Sequence, residues 1–277
     1  MPELPEVELV ARALDKLVGG RCILAAEIRR ARLVPGSTPE DFARLVRGSC
    51  INSVNRRGKH LLFELSGGLV LIAHLRMSGR FLLLPPEAPL PKFTHAIFYL
   101  DDGRRFIFSD QRHFGMMKLV PASQAHETKE LRALAPEPFS EEFTPQYLAG
   151  ILAQSRRTLK ETLLDQTKVT GLGNIYAAEA MFLSRVNPFI IAADFSRRRV
   201  GRLHQAILDV FTESIAHGST LNIDPENIDG SYYGGAYEGR WRVYNREGEP
   251  CIACGSRIRR ITHAGRSTYF CPRCQRR

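Results

Sequence analysis

Four cysteines near the end of the chain, Cys251-x2-Cys254-x16-Cys271-x2-Cys274, constrain the fold more tightly than any other feature. Two Cys-x-x-Cys turns bring four thiolates together, the donor set of a closed tetrahedral zinc site with no open position for catalysis. One structural Zn2+ is therefore expected, stapling residues 241–277 into a small β-hairpin module. From Cys251 onward the module holds seven arginines and no acid. Its exposed face suits phosphates; a stapled tail with solvated charges is the plainer alternative. Cys22 and Cys50 have no obvious partner and are expected to be small core residues.

Lysine and arginine number 39 against 29 acids, a net charge of +10, which points to a polyanion, most simply nucleic acid. No apolar run approaches the roughly 18 residues of a membrane span, and the N-terminus lacks the apolar region of a signal peptide. A cytoplasmic protein with no membrane partner is expected. With 277 residues, about two domains are expected, and the hydrophobic pattern changes character once. Residues 21–120 read mainly as strands: Leu61–Leu65 and Leu69–Ile72 flank Ser66-Gly67-Gly68, while Ala96–Leu100 and Arg105–Phe108 flank Asp101-Asp102-Gly103. Short strands with regular turns predict a β-sandwich or barrel. A shorter helix is predicted over Pro39–Val46. After the turn-rich linker around Ala135-Pro136-Glu137-Pro138, helices are predicted over Pro145–Ala153, Thr158–Asp165, Ile175–Leu183 and Arg197–His217. The fold class is thus α+β: residues 1–134, a linker at 135–143, a helical part at 144–240 with a loop-like Gly/Tyr-rich stretch near 218–240, and the cysteine module.

The first eight residues, Met1-Pro2-Glu3-Leu4-Pro5-Glu6-Val7-Glu8, carry the most chemistry. Trimming of the initiator methionine before Pro2 leaves a secondary amine with a pKa of about 7.7–8.0. That amine can attack a sugar C1′ or an aldehyde and form an iminium, and Glu3 beside it could move protons. Pro5, Val7, Val10, Leu14 and Leu17 predict a helix ended by Gly19-Gly20, so a plain helix start is the competing reading. In Gly171-Leu172-Gly173-Asn174-Ile175-Tyr176, the glycines allow tight turns and Asn174 is a candidate N-cap. Such a helix start is either an anion site or an ordinary connection. Arg56-Arg57-Gly58-Lys59-His60 is a basic turn, solvated or phosphate-directed. Met77 and Phe114 lie in turn-like settings; each is either core or an apolar wedge that unstacks DNA.

Taken in order, Pro2–Glu8, Gly58-Lys59, His74-Leu75-x-Met77-Ser78-Gly79, Arg112-x-Phe114-Gly115, Gly171–Tyr176 and the four-cysteine finger closely resemble bacterial formamidopyrimidine-DNA glycosylases of the formamidopyrimidine glycosylase/endonuclease VIII family. The resemblance spans nearly the whole chain. It implies an N-terminal β-sandwich with flanking helices, a helix–two-turns–helix domain and a zinc-finger hairpin, with DNA in the cleft between. It implies base-excision repair of oxidised purines by base flipping, with N-terminal proline Schiff-base chemistry followed by β,δ-elimination. Pro2 would be the nucleophile, Glu3 the acid, Lys59 the β-elimination residue and Arg266 the δ-elimination residue. His95, Arg112, Arg157, Lys160 and Asn174 would contact DNA, and Met77, Arg112 and Phe114 would fill the gap left by the flipped nucleotide. The partner would be damaged double-stranded DNA, met by a monomer in the bacterial cytoplasm and held to the nucleoid through that DNA.

Two positions and one stretch depart from the family pattern: His113 stands where a second arginine is usual, Ala135 where a glycine is, and Asn222–Glu238 lacks a clear base-capping pattern. The resemblance therefore carries the lyase chemistry further than the choice of base. An endonuclease VIII-like enzyme for oxidised pyrimidines is one alternative, disfavoured by Leu4 and the Met77/Arg112/Phe114 set. A non-catalytic zinc-containing nucleic-acid-binding protein is another, disfavoured by Pro2, Glu3 and Lys59 occurring together.

Overall fold

A computed structural model describes residues 2–220, 237 and 239–276. The expected base-capping stretch, Asn222–Glu238, lies outside the described residues except for Tyr237. The chain forms two compact units, one built on Glu6–Arg132 with Pro2 and the other on Glu3–Pro5, Ala133–Thr220 and the residues from Tyr237 onward.

Helix α1 (Leu4–Val18) belongs to the first unit from Glu6 onward and is followed by β1 (Ile23–Ile28), α2 (Pro39–Val46), β2 (Ile51–Arg57), β3 (His60–Leu65), β4 (Leu69–His74), β5 (Gly79–Leu84), β6 (Thr94–Leu100), β7 (Arg105–Asp110) and β8 (Met116–Pro121). The strands make two antiparallel four-stranded sheets, ordered β1-β6-β7-β5 and β2-β3-β4-β8. Phe63 from one sheet meets Phe81 and Phe106 from the other at ring-centroid distances of 5.2 and 5.9 Å. One apolar core, joined by Val7, Val10, Leu14 and Val18 of α1, thus fills the space between the sheets. This is the expected sandwich. α2 begins at the expected residue because Thr38 caps it, accepting from the Asp41 amide at 3.0 Å, with Pro39 first in the helix.

Cys22 and Cys50 correct the reading from sequence: they are bonded to each other, 28 residues apart. They face one another where the chain enters β1 and β2, and the hydrogen bonds Ile23 N–Ser49 O and Ile51 N–Arg21 O flank the pair. The bond therefore joins the two sheets at one edge.

The second unit holds α3 (Pro145–Ala153), α4 (Leu159–Leu163), α5 (Asn174–Leu183), α6 (Arg197–Ala216) and the hairpin β9 (Arg259–His263) and β10 (Arg266–Phe270). Thr144 caps α3, and Thr158 and Glu161 form a reciprocal capping box on α4. Leu148, Leu159, Leu163, Tyr176, Met181, Leu203, Ile207 and Phe211 make its core. No helix among the described residues is long and apolar enough to cross a membrane.

Candidate active site and nucleic-acid interface

Glu3 is anchored in the second unit by residues far away in sequence. Leu4 N donates to Gly171 O at 3.1 Å. The Glu3 carboxylate accepts from the amides of Gly173 (2.6 Å), Ile175 (2.9 Å) and Tyr176 (3.3 Å), and only 2% of the residue is exposed. A carboxylate at these amides also gains from the α5 dipole. The expectation that Asn174 caps α5 is corrected: Gly173 is the cap residue, Asn174 is the first helical residue, and Glu3 supplies the acceptor oxygens. The glycines of Gly171-Leu172-Gly173 exist for this contact. A Cβ on Gly173 would lie 2.3 Å from Glu3 Cδ, and one on Gly171, whose φ is +85°, would lie 2.6 Å from Leu4 Cδ1.

α4 and the hairpin form a second cluster. Lys160 is buried, and its Nζ donates to Ser267 O (2.8 Å) and Thr268 Oγ1 (2.7 Å). Burial first, and then the neighbouring Arg266, pull Lys160 down to about 8. His263 Nε2 lies 2.9 Å from Thr158 Oγ1, which fastens the turn before Arg266 to the α4 cap. Arg157 pairs with Asp165 at 2.5 Å. Arg157, Lys160, Asp165, His263 and Arg266 line a cleft of about 290 Å3. Lys160, expected as a DNA contact, thus spends two of its three hydrogens on positioning the Arg266 strand.

In the first unit, Lys59 follows Gly58 (φ +56°) in the turn between β2 and β3 and is buried. His60 and His74 face each other across β3 and β4 with ring centroids 4.6 Å apart. Burial, reinforced by Arg76, lowers His60 from 6.5 to about 4; burial, with His60, Arg76 and Lys59 adding, lowers His74 well below its usual value. Both rings are thus neutral in the fold, whereas the unfolded chain binds protons below about 6.5. Stability is then full above pH 6.5 and falls as the pH drops from 6.5 towards 4. Urea unfolding at pH 7.5 and 5.0 should show this loss, and His60→Gln should reduce it; an unchanged slope in His60→Gln would rule His60 out as its source.

Met77 and Phe114 are surface residues, 37% and 56% exposed, which removes the core reading for both. The Arg112 guanidinium lies 5.3 Å from the Phe114 ring centroid. His95 is buried, with Nε2 2.8 Å from the Asp110 carbonyl oxygen and 2.9 Å from His113 Nδ1. Burial lowers its pKa.

The cysteine module fits a metal ion. All four sulfurs lie within 4.8 Å of one another. Burial first, and then the neighbouring sulfurs, push the Cys274 thiol up, and four thiolates this close call for a cation. Ala178, Phe182, Val243, Ile258 and Tyr269 pack with Cys251 and Cys271 into a small core.

Two positioning carboxylates were not singled out from the sequence. Glu179 is fully buried in α5 and accepts from the amides of Arg242 (2.8 Å), Val243 (2.9 Å) and Tyr244 (2.9 Å), anchoring the chain that leads into the cysteine module. Its signal was a lone acid in Ala177-Ala178-Glu179-Ala180-Met181. Asp110 is the other.

Comparison with known proteins accounts for nearly all of this chain. The family model for the formamidopyrimidine-DNA glycosylase N-terminal domain matches residues 1–117, that for its H2TH domain matches 134–224, and that for a zinc finger found in FPG and IleRS matches 248–277. The formamidopyrimidine-DNA glycosylase of Desulforamulus reducens is 40% identical over 277 residues, covering 100% of this chain and 99% of the relative. That of Symbiobacterium thermophilum is 43% identical, covering 99% and 89%. The structure of Lactococcus lactis Fpg with abasic-site DNA has a TM-score of 0.91 at 33% identity, covering 99% of this chain and 100% of that one. A complex of the same enzyme with Fapy-dG DNA also has a TM-score of 0.91 at 33% identity and the same coverage. Matched from end to end in both sequence and fold, the chain belongs to the formamidopyrimidine-DNA glycosylase family.

Proposed function

We propose that this chain excises oxidised purines from damaged double-stranded DNA and then cleaves the abasic strand, as a monomer in the bacterial cytoplasm. The single observation that carries the reading is the anchoring of Glu3 by the amides of Gly173, Ile175 and Tyr176. It fixes the residue that follows the proposed nucleophile in the chain. The Pro2 amine attacks C1′, the base departs, and the secondary amine becomes a cationic iminium without needing a further proton. That electron sink acidifies the C2′ hydrogens. Removal of one expels the 3′ phosphate, and a second elimination expels the 5′ phosphate. Glu3 moves the proton during base loss and ring opening, Lys59 serves the first elimination and Arg266 the second. Extrusion of the base costs a few kcal/mol, which insertion of Met77 and Phe114 offsets. Arg112 has only donors and suits the acceptor edge of an orphaned cytosine. Arg157 and His95 contact the DNA, and Asn174 and Lys160 do so near the lesion phosphates. Zinc supplies folding rather than chemistry.

Borohydride trapping on a duplex carrying 8-oxoguanine opposite cytosine, using protein with a free Pro2, should yield a covalent adduct that mass spectrometry maps to Pro2. An adduct only with a pre-formed abasic site would leave the lyase and change the base. No adduct with either substrate would sink the proposal.

A further inference from the structure

The turn carrying Met77 and the loop carrying Arg112 and Phe114 come from different strand connections, yet they share one buried acid. Asp110, 1% exposed, ends β7. Its Oδ1 accepts from Ser78 Oγ at 2.5 Å and from the Arg112 amide at 3.1 Å, and its Oδ2 accepts from the Gly115 amide at 2.7 Å. Ser78 Oγ also accepts from the Arg112 amide at 3.0 Å. Burial alone would raise Asp110; the hydrogen bonds from Ser78 and from the amides of Gly115, Arg112 and Phe114 outweigh it and keep the group below the ordinary carboxylate range. Behind the acid, both connections rest on Phe108. A Cβ on Gly79 would lie 2.8 Å from the Phe108 ring, and one on Gly115 would lie 2.5 Å from it and 3.2 Å from Asp110 Oδ2. His113, the residue this chain has in place of an arginine, sits at φ +62° and turns its Nδ1 to His95, which in turn contacts the Asp110 carbonyl. Side chain and backbone of one residue thus hold both loops.

We propose that Asp110 is the positioning residue of the duplex wedge, locking the 77–79 turn and the 110–115 loop so that Met77, Arg112 and Phe114 enter DNA as one rigid body. Without that lock, exposed apolar tips on two separate loops would have to be ordered at the moment of insertion, and that entropy would be charged to base extrusion. This inference rests on reading those three side chains as the wedge, and the test separates the two ideas.

Single-turnover excision of 8-oxoguanine is measured opposite cytosine and opposite a tetrahydrofuran residue, where no orphan base remains and less stacking must be undone. Asp110→Asn should be about tenfold slower opposite cytosine, the size of one charge-assisted hydrogen bond. Opposite tetrahydrofuran, the defect should shrink to about twofold. Ser78→Ala, which removes the hydroxyl linking the two loops and leaves the Asp110 carboxylate with its amide donors, should show the same dependence in a smaller degree and carries the test should Asp110→Asn not fold. Equal slowing on both substrates would reduce Asp110 to a general structural residue and overturn the proposal, as would normal rates on both. Phe114→Ala serves as the reference. If it is slow opposite cytosine while Asp110→Asn and Ser78→Ala are normal, only the positioning role fails; if it is itself normal, the wedge reading fails and the inference with it.

Discussion

Gly173→Ala lowers single-turnover base excision by about 100-fold or more. The expected loss follows from one distance: the added methyl carbon would lie 2.3 Å from Glu3 Cδ and 2.4 Å from Glu3 Oε1. No rotamer adjustment of a side chain already held by three amides relieves an overlap of that size. Either Glu3 leaves those amides, or the first turn of α5 moves away from it. In both cases the carboxylate and the residue before it in the chain are displaced by an ångström or more, which is enough to cost two orders of magnitude in a positioned reaction. The fold itself should survive, because overpacking one site costs about 1–3 kcal/mol. Rapid-quench excision assays with saturating DNA, alongside thermal melts, separate the two effects. Gly171→Ala offers the contrast, since its methyl would meet Leu4 rather than Glu3. A Gly173→Ala enzyme with ordinary rates would mean that Glu3 does not act from this position.

Removing zinc, or replacing Cys271 by serine, should undo the terminal module. Cys271 is buried and shares its small core with Val243, Ile258 and Tyr269, which is too little apolar surface to fold alone. Structural zinc contributes about 10–16 kcal/mol to folding in isolated fingers, far above what this core supplies. Losing the metal frees β9 and β10, and with them Arg266, Arg259 and Arg260. Affinity for a damaged duplex should then fall by about 100-fold or more at moderate salt. Hydrogen exchange should show the loss confined to the module and its supports at Lys160 and Glu179, while the two sheets of the first unit stay protected. Zinc should restore chelated wild-type protein but not Cys271→Ser. Tight binding and normal exchange in Cys271→Ser would remove the finger's assigned role.

What could be read in advance depended on whether the cause was local. α2 and α3 start where expected because Thr38-Pro39 and Thr144-Pro145 carry their own caps. Met77 and Phe114 read equally as core or wedge when taken as single apolar residues, and only the fold places them on the surface. Asn174 reads as a cap in the sequence, but the acceptor is Glu3, about 170 residues away in the chain, and nothing in a helix-start pattern announces a distant carboxylate. The Cys22–Cys50 bond escaped for the same reason, being set by strand pairing rather than spacing. The tie of the His95 ring to the Asp110 carbonyl oxygen is likewise a tertiary contact that no local pattern announces. The family was legible in residue types, and the supports beneath the candidate site were not.

The fastening of the hairpin has a mechanical consequence. Lys160 grips β10 at Ser267 and Thr268, His263 is tied to Thr158, and Gln275 Nε2 donates to Val186 O at 2.9 Å while Asn187 Nδ2 donates to Gln275 O at 3.1 Å. These ties make the helical segments and the hairpin a caliper of fixed jaw width, with its cationic side chains at set intervals. A caliper does not adapt to its workpiece. On the proposed role, a mismatch between that spacing and the phosphates of a relaxed helix would be taken up by the DNA, and the flexibility of the base steps beside a lesion, pyrimidine–purine steps above all, would enter the energy of recognition at positions no side chain reads.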